Sequence, residues 1–249
     1  MEKIFKEEHQ VTYGDCDETG KIQLPKLIEH FMKVSNDQLT QGNAGIHDLL
    51  KQNLGWVVVE YHLDLERLPE AGEKITVTTN GSGYNRFFEY RDCGIIDSTN
   101  KKIVDVKSQW VILDLKNRKI TEADSQMMEK FGNPYLKHMP RFKRLRPLKD
   151  YESSKTYAVR YYDLDTNHHL TNSVYFDWMI DTLPREFLNS HTAKSVDISF
   201  KKEVQYGDQA LSELTLDQNT LISYHLISNQ VKFLLWLKLV GEKIKSLTC

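Results

Sequence analysis

Only three cysteines occur among 249 residues, Cys16, Cys93 and Cys249. Their scatter gives neither a disulfide framework nor zinc-ligand spacing, which suits a reducing compartment. Long apolar runs are missing too. The longest, Phe233 to Val240, contains Lys238 and falls far short of the roughly 20 residues that span a bilayer. Neither sign of charge dominates: the formal net charge is −2, without the basic excess of a general nucleic-acid binder. There is no Gly-rich phosphate loop and no Gly-x-Ser-x-Gly elbow, which counts against nucleotide-binding and serine-hydrolase readings. The segment from Met1 to His9 lacks the apolar core of a signal peptide and is too acidic for a transit peptide, so a cytoplasmic protein is expected. A composition of 40% hydrophobic and 27% charged residues is that of an ordinary globular chain and excludes disorder and fibrous repeats. Asn80-Gly81-Ser82 matches a glycosylation sequon, but without a secretion signal it reads better as a turn.

What is present is an internal duplication. The tract Asp163-Leu164-Asp165-Thr166-Asn167-His168-His169-Leu170-Thr171-Asn172 has a degenerate twin, Asp15-Cys16-Asp17-Glu18-Thr19-Gly20-Lys21-Ile22-Gln23-Leu24, at a constant numbering shift of 148. A duplicated unit is its own control. Positions shared by both copies serve the fold, whereas polar positions found in one copy are candidates for chemistry. Asn167 stands opposite Thr19 and His169 opposite Lys21, while Asp163 and Asp165 are mirrored by Asp15 and Asp17 and read as partly structural.

Each tract leads into an amphipathic helix pattern. Leu24, Leu27, Ile28, Phe31 and Met32 recur at helical spacing and form one apolar face. Tyr175, Phe176, Met179 and Ile180 repeat it, Pro184 ends or kinks that helix, and Asn172 and Ser173 sit where an N-cap is expected. Strand-like segments follow: Trp56 to Leu65, Lys74 to Thr79, Arg86 to Asp92 and Lys102 to Leu113, then Lys194 to Lys201, Gln209 to Leu216, Ile222 to Ser228 and Val231 to Val240. Asn80-Gly81 predicts a hairpin turn, and Asn117-Arg118 turns the chain toward Ile120. Gly72 and Gly207 mark matching turns at a new shift of 135, so the first copy carries about thirteen extra residues near its helix end. One long helix followed by antiparallel strands, twice, predicts an α+β chain in which each sheet wraps a helix. The expected division is 1–130, a proline-broken linker over 131–149, and 150–249. Within the linker, Lys137, Arg141, Lys143, Arg144, Arg146 and Lys149 occur without an acid between them. This reads either as a surface connector or as a docking strip for an acidic partner.

Asp165, Asn167 and His169 alternate at i, i+2 and i+4. In an extended segment that spacing puts all three on one side, at the mouth of the following helix. A carboxylate, an amide and an imidazole beside helix amides suit hydrolysis of an activated carbonyl. Glu203, in Lys201-Lys202-Glu203-Val204, is a further polar residue unique to its copy, since the shift of 135 places it opposite Leu68. His168 and His169 are adjacent and face apart, with no Cys or carboxylate at ligand spacing, so no metal is expected.

At these residues the chain resembles the acyl-acyl carrier protein thioesterases of plants and bacteria. The resemblance covers nearly the whole chain: the duplication, the Asp-Leu-Asp-x-Asn-x-His-x-x-Asn tract and the Lys-Lys-Glu segment. It implies a tandem double hot-dog fold. It also implies hydrolysis of the thioester joining a fatty acyl chain to the phosphopantetheine arm of acyl carrier protein, with no cofactor, no nucleic acid and no membrane insertion. The family's catalytic residues would fall on Asp165, Asn167, His169 and Glu203, and the acyl chain would lie mainly in the first half. Plant members commonly carry a cysteine directly after that glutamate, where this chain has Val204, so a thiol acyl-enzyme route is closed. The readings that compete are a non-catalytic acyl-carrier binder and a hot-dog dehydratase. Chain-length preference, the role of Asp165 as nucleophile or support, and a homodimer on top of the fused pair stay open at this level.

Overall fold

A computed structural model describes residues 4–166, 169–202, 204–229 and 232–243. The first half runs β1 (Phe5–Gln10), α1 (Leu24–Gln41), α2 (Ile46–Leu50), β2 (Leu54–Leu65), β3 (Lys74–Tyr84), β4 (Glu89–Asp97), β5 (Lys102–Asp114), β6 (Lys119–Ile120) and α3 (Ser125–Lys130). The second runs β7 (Ser153–Ala158), α4 (Asn172–Ile180), α5 (Arg185–Ser190), β8 (His191–Phe200), β9 (Gln209–Asp217), β10 (Ile222–Asn229) and β11 (Lys232–Lys243). The strands form one antiparallel sheet in the order β1-β3-β4-β5-β2-β8-β11-β10-β9-β7, with β6 beside β5. That order reads the same from either end once β1 is equated with β7, β3 with β9, β4 with β10, β5 with β11 and β2 with β8. The duplication extends to register: Phe5 pairs with Thr79, and the equivalent residues Ser153 and Leu214 pair in the second half.

The two halves share this sheet as a double hot-dog. Helices α1 and α4 pack against each other and onto the sheet. Helix α1 presents Leu27, Ile28, Phe31 and Val34 to the core, and Pro25 sits in its first turn, where a missing N–H costs nothing. Helix α4 is apolar almost all round, because Val174, Tyr175, Phe176, Trp178 and Met179 are all buried. Burying a side chain such as Leu27 or Phe176, both 0% exposed, contributes about 1.5–3 kcal/mol. Gly72 and Gly207 have φ of 83° and 85°, a left-handed conformation that glycine adopts without strain.

Four expectations need correction. Asn80 and Gly81 lie inside β3, paired with Asp92 and Arg91, and the turn to β4 is at Asn85, whose N–H donates to Phe88 O at 2.8 Å. Gly81 is there for close approach, since a Cβ would sit 1.5 Å from Asn133 Oδ1. The linker therefore begins as packed structure: Phe131 and Asn133 are 5% and 4% exposed, and only beyond them does the chain run over the surface. The N-cap of α4 is Thr171, not Asn172 or Ser173; the Ser173 hydroxyl instead meets Glu29 Oε1 of α1 at 3.2 Å. Finally, the Asp-rich tract is a closed loop rather than an extended segment.

Candidate active site

That loop is built the same way twice. A short 3-10 turn, Tyr161–Asp163, delivers the chain to an isolated bridge between Leu164 and Leu170. Asp165 N–H donates to His169 O at 2.8 Å and Thr171 N–H to Asp163 O at 2.8 Å. In return the Asp165 carboxylate accepts the His169 N–H at 3.0 Å. In the first copy, Cys16 bridges Ile22, Asp17 N–H donates to Lys21 O at 2.9 Å, and Gln23 N–H donates to Asp15 O at 2.9 Å. The Asp17 carboxylate receives the Lys21 N–H at 3.4 Å. In both copies, then, a loop carboxylate ties its own backbone. Asp163 anchors the loop from below: it is 2% exposed and accepts from Arg160 N at 2.8 Å and Arg160 Nη2 at 2.7 Å.

Of the residues singled out by sequence, Asp165 and His169 are brought together across this loop. Asn167 and Glu203 lie outside the described residues, although Val204, directly after Glu203, is buried at 1% exposure. A residue not singled out for chemistry joins them. Arg118, in the turn between β5 and β6 of the first half, places Nη1 3.1 Å from His169 Nε2. A guanidinium has no lone pair, so Nε2 accepts and Nδ1 carries the ring proton in this arrangement. Arg118 has φ of 55°, a conformation uncommon outside glycine that re-aims the side chain at the tip of the turn. The only sequence signal was its place in a short turn.

The degenerate copy shows what such a loop faces. Asp17, Thr19 and Leu68, with Leu183, Phe187 and Leu188 from the second half, line an open cleft of about 300 Å³. The two shifts carry Asp17 to Asp165, Thr19 to Asn167 and Leu68 to Glu203. Across the rim, Arg185 grips Glu18 in a two-point ion pair at 2.8 and 2.6 Å. On the α4 wall of this cleft, burial and the Glu29 carboxylate hold Asp177 above the ordinary carboxylate range.

A small cavity, with room for about one water, lies in the first half between α1, α2 and the sheet, walled by Met32, Leu39, Ile46, Trp56, Trp110 and the buried pair Glu89–Arg91. Arg91 reaches Glu89 at 3.1 Å and Thr79 at 3.1 Å, and it also bonds Gln38. Burial pushes the Glu89 carboxyl up, opposed by Arg91 and Asn133. Among the described residues, no helix is long and apolar enough to cross a membrane.

Comparison with known proteins agrees with this fold. Residues 2–131 match the family model for the acyl-ACP thioesterase N-terminal domain, and residues 147–247 match that for the C-terminal domain. The chain is 23% identical over 232 residues to the chloroplastic oleoyl-acyl carrier protein thioesterase of Coriandrum sativum, covering 83% of this chain and 63% of that protein. It is 26% identical over 182 residues to the chloroplastic dodecanoyl-[acyl-carrier-protein] hydrolase of Cinnamomum camphora, covering 68% and 46%. The chain thus spans about half to two thirds of the length of these plant relatives. A crystal structure from Lactobacillus plantarum, provisionally named an oleoyl thioesterase, superposes with a TM-score of 0.92 at 28% identity over 98% of both chains. An acyl-ACP thioesterase from Bacteroides thetaiotaomicron has the same fold, with a TM-score of 0.84 at 20% identity over 96% of this chain and 98% of that one.

Proposed function

The chain belongs to the acyl-ACP thioesterase family, and on that premise we propose that it hydrolyses fatty acyl-acyl carrier protein in the cytoplasm, releasing free fatty acid and carrier protein. The observation that carries the site assignment is internal. Asp17, Thr19 and Leu68 line one cleft in the degenerate copy, which supports convergence of their counterparts Asp165, Asn167 and Glu203 beside His169 in the other. The acyl chain would lie mainly in the first half.

Water attacks the thioester carbonyl. Its proton passes to Glu203 with His169, whose Nε2 must give up the Arg118 hydrogen bond to share it, and the carbon–sulfur bond breaks to give the carboxylic acid and the phosphopantetheine thiol. Asn167 orients the carbonyl or the imidazole, and the first amides of α4 favour the developing oxyanion. Asp165 is a positioning residue in this scheme, because its carboxylate closes the His169 loop as Asp17 closes the other. A nucleophilic Asp165 would have to leave that bond.

The test is free fatty acid release from a panel of acyl carrier proteins bearing different chains. His169→Ala and Glu203→Gln should each lower turnover by about 10²–10⁴ while carrier binding persists. Unchanged turnover in both variants defeats the assignment. Single turnover in isotopically labelled water decides on Asp165: label appearing in its carboxylate would mean an acyl anhydride rather than direct water attack.

A further inference from the structure

His9, Asp15 and His30 have no ligand-like spacing in sequence, yet they meet where β1, the turn after it and α1 come together. Their candidate ligand atoms all lie within 4.8 Å of one another. The two imidazole rings are 4.0 Å apart between centroids and tilted by 56°. Nε2 of His9 and Nε2 of His30 are both buried without a hydrogen-bond partner. Two orphaned nitrogens side by side are costly unless something supplies a bond to each.

The charges suit a cation. The Thr12 N–H and hydroxyl both donate to Asp15 Oδ2, at 2.9 and 2.7 Å, and so orient the carboxylate as outer-shell partners orient metal ligands. Lys26 and Glu29, the other charges on this face of α1, pair with each other at 2.8 Å.

The second copy shows that the fold does not demand this cluster. Its equivalent positions hold Tyr157, Asp163 and Trp178. Tyr157 and Trp178 stack at 5.5 Å and 10°, and Asp163 is taken by Arg160. The space is closed there without an orphaned nitrogen.

We propose that His9 Nε2, His30 Nε2 and an Asp15 carboxylate oxygen bind one divalent transition-metal ion of the zinc class, pinning edge strand β1 and its turn onto α1. Two imidazoles and a carboxylate are a donor set that zinc accepts, with a fourth position left for water. Metal–nitrogen bonds of about 2.0–2.1 Å put tetrahedral ligand atoms about 3.3 Å apart, so binding draws the three side chains together by rotation. All three are partly exposed, which gives the ion a way in.

The site is separate from the His169 loop and is tested without reference to thioester hydrolysis. Tag-free full-length protein, stripped with a chelator, is titrated with Zn²⁺ by calorimetry and with Co²⁺ by visible absorption. One equivalent should bind, cobalt should show a four-coordinate spectrum, and a hundredfold excess of Zn²⁺ over its dissociation constant should raise the thermal midpoint by about 5 °C. His9→Tyr with His30→Trp, which imports the second copy's aromatic pair, should abolish all three effects, and the milder His30→Gln should weaken binding at least about tenfold. Absence of binding, or binding unchanged in His30→Gln, would overturn the proposal and, in the second case, move the ion to another site.

Discussion

His62 and Asp197 occupy the same position in the two copies and face each other across the seam between β2 and β8, with Nδ1 2.6 Å from Oδ1. The register pairs them directly, and Glu60↔Ser199 and Asp64↔Ser195 flank them symmetrically, so the pseudo-twofold axis of the molecule passes between these two side chains. A homodimer of identical halves would place two like residues there. Duplication followed by divergence allowed an acid and a base instead.

This pair makes stability depend on pH. The Asp197 hydrogen bond raises His62 above its ordinary value. Burial pushes Asp197 up, but the bond and charge of His62, with Lys143, hold it below the usual range. A raised histidine stabilises fully below its unfolded value and loses the effect as pH rises through its folded value. A depressed aspartate stabilises above its unfolded value and loses the effect as pH falls. The pair's contribution is therefore greatest between about pH 4 and 6.5. The thermal-midpoint difference between the natural protein and His62→Gln should peak in that window and shrink on both sides. A difference that does not change with pH would show the pair to be energetically idle.

Arg118 is expected to act through His169. Its hydrogen bond to Nε2 orients the ring from the opposite half of the molecule. Arg118→Ala should lower kcat about tenfold, as expected for one lost charge-assisted bond, with KM and the unfolding midpoint little changed. Arg118→Lys, which keeps a donor, should recover part of the loss. Equal kcat in all three proteins would remove Arg118 from the site.

Much of this was legible because the chain is written twice. The constant shift of 148 fixed the equivalence of β1 with β7 and of the two loops, and Gly72 with Gly207 fixed the rest. What the pattern could not supply was anything set by tertiary approach. Gly81 looked like a turn residue because only the sequence neighbours of a glycine are visible, whereas its reason is Asn133, fifty-two residues away. Arg118 carried no repeat signature at all. The alternation of Asp165, Asn167 and His169 suggested an extended strand, but the Asp165 carboxylate satisfies the His169 amide and folds the tract back on itself. The continuous sheet joined at β2 and β8 was likewise invisible, since pairing between halves leaves no periodicity behind.

The buried Glu89–Arg91 pair in the first-half cavity should behave as a unit. Removing one partner strands the other charge, so Arg91→Met should cost about 3–5 kcal/mol. Glu89→Leu combined with Arg91→Met should cost clearly less than the two single changes added together, because no charge is then left unpaired. Urea unfolding of the four proteins completes the cycle, and strict additivity would mean that the 3.1 Å contact contributes no coupling.

The cationic strip is where a carrier-borne substrate is expected to be felt before chemistry begins. Lys137, Arg141, Lys143, Arg144, Arg146 and Lys149 are all exposed. Lys143 already has a partner, Asp197 Oδ2 at 3.5 Å, so it is left in place. Arg144 and Arg146 share a surface groove with Lys201, which stands two residues before Glu203 in the sequence. An acidic carrier drawn to this surface arrives faster, and the gain fades as salt shortens the Debye length to about 8 Å at 0.15 M. Arg141→Gln, Arg144→Gln and Arg146→Gln together should raise KM for acyl carrier protein several-fold at low ionic strength and leave kcat alone. The gap should close as salt is added. A short acyl-pantetheine thioester, which has no carrier to steer, should not distinguish the triple variant from the natural protein. If it does, or if KM for the carrier substrate stays put at every salt concentration, the strip is a connector whose charges serve solubility alone.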